Sequence, residues 1–134
     1  MRAHRLAVVG SIGPEGRPQA ALVGVATTEA FEVIFDTVSD SRKHQNLTAT
    51  PHASVTFGGP GEQTLQFEGS ASPLGMDATD DQPCLAAYYA AWPECRDHRS
   101  WPKIAYWRIR ARWARYSDYD RGPLIAAFEF GVPS

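Results

Sequence analysis

From Leu6 to Leu74 the sequence cuts short runs of strand-forming residues with turn formers, and that punctuation limits the fold more than any other feature. Leu6-Ala-Val-Val-Gly-Ser-Ile12 is strand-like, and Gly13-Pro-Glu-Gly-Arg-Pro18 is dense in residues that favour turns. Gln19-Ala-Ala-Leu-Val-Gly-Val-Ala-Thr27 follows as a second strand, so the pair reads as a hairpin. Its mixture of small and apolar residues points to burial on both faces, or to close approach of something flat. After a turn at Thr28-Glu-Ala30, Phe31-Glu-Val-Ile-Phe-Asp36 makes a third strand. Ala53-Ser-Val-Thr-Phe57 is a fourth, closed by Gly58-Gly-Pro-Gly61. Gln63-Thr-Leu-Gln-Phe-Glu68 alternates cleanly, with Leu65 and Phe67 on one face, and extends through a bend along Gly69-Ser-Ala-Ser-Pro-Leu74. Short strands at this spacing predict a mainly β chain that closes as a small antiparallel barrel.

The pattern changes at Met76. Acidic residues between 77 and 81, Pro83 near a first helical position and an Ala-rich run up to Pro93 predict a helix from Gln82 to Trp92. Glu94 to Pro102 reads as a charged loop carrying Cys95, His98 and Trp101. In the segment from Ile104 to Tyr116, Tyr106, Arg108, Arg110 and Arg112 share one face at period two. Trp107, Ile109, Ala111 and Trp113 occupy the other. Arg115 falls out of phase, which predicts a bend or bulge near Arg112 and Trp113. The arginine stripe reads as the solvated face of an edge strand, where charge discourages further pairing. The tail after Ser117 could add one more strand. With 134 residues and no internal repeat, the expectation is a single domain over residues 1–134.

One polar stretch stands out, Thr37-Val-Ser-Asp-Ser-Arg-Lys-His-Gln-Asn46. It reads as a strand end, a turn, and a short helix beginning near Ser41 and stopped before Pro51. Ser39, Asp40 and Ser41 are all suitable N-caps. Arg42 and Lys43 then fall in the first helical turn, where bare cations oppose the helix dipole. Two cations beside free backbone N–H groups make sense around an anion, with phosphate the obvious candidate. The alternative is a solvated basic turn.

Charge and composition narrow the classes further. Thirteen basic against fifteen acidic side chains give a formal net charge of −2, which argues against a broad nucleic-acid surface. Cys84 and Cys95 show no Cys-x-x-Cys motif, so reduced thiols are expected. No run is long and apolar enough to span a bilayer, and the N-terminus lacks a signal-peptide pattern, so the expected location is cytoplasmic. His4, His44, His52 and His98 are scattered without metal-ligand spacing, and no metal site is expected. His44 reads as a solvent-facing helix residue. No Gly-x-Ser-x-Gly nucleophile elbow is present, and no catalytic residue can be named.

In combination these residues resemble the FMN-binding split-barrel family of pyridoxamine 5′-phosphate oxidase-like proteins. The resemblance rests on Ala7-Val-Val-Gly10 with Gly16-Arg-Pro18, on Phe35-Asp-Thr37 followed by Ser41-Arg-Lys43, on Gln45-Asn-Leu47, and on Pro51 with Ala53-Ser-Val-Thr-Phe57. The segment from Trp107 to Asp118 is similar to the closing strands of short bacterial members. The resemblance implies a split β-barrel homodimer with FMN at the subunit interface. It places the FMN phosphate at Ser41, Arg42 and Lys43, with strand-end contacts from Asp36 and Thr37. Ala21, Leu22 and Val23 match the strand that runs along the isoalloxazine ring, and Thr64 matches a flavin-contacting position. Trp113 and Arg115 are candidate contacts from the second subunit.

The chain also departs from the oxidase pattern. Ala21 stands where the oxidases place an arginine, which removes one charged phosphate contact. Gln63-Thr64-Leu65 stands for their Arg-Gln-Val. Arg108-x-Arg110 and Arg110-x-Arg112 replace an Arg-x-His motif that handles the vitamin phosphate. The implied function is an FMN-dependent oxidoreductase acting on a small-molecule redox substrate, with NAD(P)H a candidate partner. The alternatives are a non-catalytic FMN carrier, or a relative that uses the deazaflavin F420 or haem.

Overall fold

A computed structural model describes residues 6–59, 61–120 and 124–129. The strands are β1 (Leu6–Ile12), β2 (Pro18–Gly24), β3 (Ala26–Thr27), β4 (Glu32–Val38), β5 (His52–Gly58), β6 (Gln63–Leu74), β7 (Ile104–Asp118) and β8 (Leu124–Glu129). Two α-helices, α1 (Arg42–Ala49) and α2 (Gln82–Ala91), interrupt them. All strands join one antiparallel sheet in the order β2-β1-β5-β6-β7-β4-β3, with β8 added to β7. The sheet curls into a split barrel, and α1 packs on β1 and β4 where it opens.

The expected second strand breaks after Gly24. Gly24 lies so close to the Trp92 ring that a Cβ would meet it, and the Trp92 indole N–H donates to the Val25 carbonyl at 2.9 Å. That bond takes Val25 out of the ladder. The expected bend in β7 is also present. Glu68 pairs with Trp113 and Gly69 with Ala111, which leaves Arg112 as the extra residue of a bulge. Gly69 is required there, because a Cβ would run into the Arg110 carbonyl. The bulge shifts the side-chain phase. Trp107, Ile109 and Ala111 point into the barrel before it, and Ala114 does so after it.

Two apolar cores result. Inside the barrel, Val9, Phe35, Leu47, Val55, Phe57, Phe67, Trp107 and Ile109 are buried together. On the outer face of β4, Ile34 packs with Leu85, Tyr88, Tyr89 and Tyr106 under α2. Strand β4 is thus covered on both faces, which explains its continuous apolar run.

Two expectations need correction. The arginine stripe does not lie on an edge strand: β7 pairs along one side with β6 and along the other with β4 and β8. Arg108 and Arg110 instead hold the buried Glu32 carboxylate, at 3.6 and 3.2 Å. Thr28 Oγ1 and the Cys84 thiol donate to the same carboxylate. Burial, with Glu32 beside it, pushes the Cys84 thiol up, so it stays protonated. The second correction concerns the loop after α2, which winds into a 3₁₀ run over Pro93–Ser100. Residues 1–5, 60, 121–123 and 130–134 lie outside the described residues.

Candidate cofactor-binding site

Helix α1 starts where the sequence places it. Ser41 is the N-cap, with extended backbone, and its hydroxyl accepts from the His44 N–H at 3.1 Å. Thr37 Oγ1, at the end of β4, lies 2.9 Å from Ser41 Oγ and ties the cap to the sheet. The N–H groups of Arg42 and Lys43 precede the helix's own hydrogen-bond ladder and are available to a ligand. Arg42 Nε donates to Gln19 Oε1 at 3.0 Å. The buried Asn46 amide braces the same oxygen at 2.8 Å and also donates to Ser11 Oγ at 3.0 Å. Gln19, which holds the guanidinium, is thus itself braced by α1, and Asn46 ties that helix to β1. Lys43 Nζ sits 5.7 Å above the Phe35 ring, a cation–π arrangement. Burial lowers the Lys43 pKa, against the opposing pull of Asp36. A partly desolvated ammonium gains more than an exposed one from an arriving anion.

These groups line a cavity of about 250 Å³ bounded by Val9, Ser11, Gln19, Ala20, Ala21, Ser41, Arg42 and Lys43. Ser11 and Gln19 also border a second cavity of about 460 Å³, whose walls include Gly10, Ile12, Pro18, Glu68, Arg112 and Trp113. A cationic recess thus adjoins a wider, mostly apolar one with an indole in its wall.

The expected site residues divide accordingly. Ala21, Ser41, Arg42 and Lys43 meet in the smaller cavity, and Trp113 lines the larger. Leu22 lies on the outer face of β2, 67% exposed, while Val23 packs against the barrel core. Thr37 reaches the site through Ser41. Asp36 does not: alternation along β4 turns its carboxylate to the opposite face, where it meets His98 Nδ1 at 2.9 Å. Thr64 pairs with Ser117, Arg115 sits opposite Gln66, and neither lines the two cavities. Arg115 Nε is buried with no hydrogen-bond partner among the described residues. His44 is not solvent-facing: its Nδ1 accepts from the Trp107 indole at 3.0 Å, so the proton of the neutral ring is on Nε2. Gln19, Asn46 and Ser11 escape a sequence reading, because short polar residues in strands and mid-helix carry no motif.

The sequence model of the pyridoxamine 5′-phosphate oxidase family matches residues 1–118. The chain belongs to this family. The pyridoxine/pyridoxamine 5′-phosphate oxidase of Mycolicibacterium paratuberculosis is 27% identical over 130 residues, covering 87% of this chain and 56% of that enzyme. The chain spans between 35% and 56% of the length of the curated relatives it matches. Among solved structures, a haem-binding protein from Mycobacterium smegmatis superposes with a TM-score of 0.83 at 15% identity, over 94% of this chain and 53% of that one. A pyridoxamine 5′-phosphate oxidase-related, FMN-binding protein from Nostoc punctiforme gives 0.70 at 13% identity, over 96% and 88%. Likenesses at this identity show the split-barrel fold alone. Among the described residues no helix is long and apolar enough to cross a membrane.

Proposed function

We propose that this chain is an FMN-dependent oxidoreductase whose flavin phosphate is held at the N-terminus of α1. The observation that carries the reading is the cavity that Ser41, Arg42 and Lys43, at the start of α1, line beside Ala20 and Ala21. Arg42 offers a planar fork to phosphate oxygens, and Lys43 a point charge. The small side chains of Ala20 and Ala21 leave room for a flat group against the strand backbone. Trp113, in the adjoining cavity, offers a face against which an aromatic ring can pack. Bound FMN would supply the hydride chemistry, and the protein's part is to anchor the phosphate, exclude water and orient the ring.

The homodimer belongs to the same reading. Val8 stands opposite Leu22, and Leu6 and Ile12 flank them on the outer face of β1 and β2. All four are exposed in the single chain. Gly10, Ile12 and Pro18 carry this apolar face to the rim of the larger cavity. A second copy seated there would bury the patch and wall the flavin site.

Turnover separates an enzyme from a carrier. With FMN-loaded protein under anaerobic conditions, NADH or NADPH is expected to bleach the flavin absorption at least about tenfold faster than it bleaches free FMN, a barrier change of about 1.4 kcal/mol. A bound flavin that either nucleotide bleaches no faster than free FMN would contradict a nicotinamide-linked oxidoreductase and favour the carrier.

A further inference from the structure

The face of β4 opposite the cationic cavity carries a second cluster of chemistry-bearing groups. The 3₁₀ run over Pro93–Ser100 places Cys95 and His98 three residues apart. In a 3₁₀ helix, side chains at i and i+3 eclipse, so both project toward the same side. That side faces Asp36. One donor atom from each of Asp36, Cys95 and His98 lies within 4.8 Å of the others, and all three residues are half-buried. His98 Nδ1 is 2.9 Å from Asp36 Oδ2, and the His98 ring is stacked on Trp101 with centroids 3.9 Å apart. The buried Tyr88 side chain lies beside both Asp36 and Cys95.

We propose that Asp36, Cys95 and His98 form a Zn²⁺ site. Donors at about 2.0–2.3 Å from a tetrahedral zinc stand about 3.3–3.8 Å from one another, a spacing these three groups reach by small side-chain shifts. Thiolate with imidazole selects zinc over magnesium or calcium, which take oxygen ligands. Charge supports the assignment. The Cys95 thiol gives its proton to solvent, and the zinc takes the place of the proton between His98 Nδ1 and Asp36. One carboxylate, one thiolate and neutral imidazole then balance a divalent cation at a half-buried position. The Tyr88 phenol has one O–H to donate to the carboxylate or to the thiolate as an outer-shell partner. Three protein ligands leave the fourth tetrahedral position to water or a small ligand. The metal would clip the 93–100 segment onto β4, next to Thr37 and the flavin-site cap.

Cobalt(II) reads the site without any activity assay. The purified chain is expected to bind one Co²⁺ with a thiolate-to-metal charge-transfer band that Zn²⁺ abolishes by displacement. Cys95→Ser should remove the band, while Cys84→Ser should keep it. His98→Gln should weaken Co²⁺ at least about a hundredfold, the upper end of what losing an outer-shell partner costs. A parent protein without the band, or a band that persists in Cys95→Ser, overturns the proposal. A readout that needs no variant is alkylation of Cys95 by iodoacetamide, mapped by mass spectrometry. Zn²⁺ should protect Cys95, and equal labelling with and without Zn²⁺ overturns the site.

Discussion

Replacing Arg42 and Lys43 together by alanine is expected to abolish retention of FMN while leaving the chain folded. A hydrogen bond to a charged group is worth roughly 1.5–3 kcal/mol, so losing two weakens binding by at least about a hundredfold. The fold should tolerate the change for a specific reason. Both residues lie in the first turn of α1, where cations oppose the helix dipole, and Ser41 still caps the helix. Gln19 keeps its bond to Asn46 when Arg42 is gone. The thermal midpoint should therefore stay level or rise slightly, separating loss of the ligand from loss of structure. Calorimetric titration with FMN on parent and variant checks the effect. Equal affinities would remove the phosphate from α1.

Phe67→Ala should have the largest effect on stability. Phe67 is 1% exposed at the centre of the barrel core, edge-on to Phe57 at 6.0 Å and to Phe31 at 6.3 Å. It also sits one residue before the Glu68–Gly69 bulge, where β6 has little freedom to shift inward and refill a void. Truncating a buried phenylalanine costs about 3–5 kcal/mol through lost transfer energy and the cavity left behind. A domain of this size holds only about 5–15 kcal/mol in total, so the variant should be marginal at ambient temperature. Urea unfolding of the two proteins measures it. A difference below about 1 kcal/mol would mean that the barrel collapses around the missing ring and is looser than its burial implies.

Much of this architecture is legible in the sequence because the signals are local. Gly and Pro punctuate the hairpins, alternation marks β6, and the out-of-phase Arg115 announces the bulge at Arg112. The N-cap at Ser41 and the stop before Pro51 place α1 to within a residue. What escapes is set by long-range partners. Nothing near Arg108 and Arg110 in the chain says that Glu32 waits across a strand pair, so an ion cluster around a buried carboxylate reads as an exposed edge. His44 looks solvent-facing until Trp107 reaches it from a strand 63 residues away. Asp36 and Thr37 read as one strand-end pair, yet the pleat sends them to opposite faces. The Asp36, Cys95 and His98 cluster is invisible for the same reason. Two of its members share one 3₁₀ turn, and the third comes from a strand far earlier in the chain.

The flavin assignment is tested most directly by recording the absorption spectrum across the size-exclusion peak of protein loaded with FMN and then dialysed. The expected result is a set of oxidised-flavin bands at near one FMN per chain, co-eluting with a species of twice the 14.7 kDa chain mass. A colourless peak after loading and dialysis would contradict flavin binding at α1 and pass the cavity to F420 or haem, to be tried in the same way.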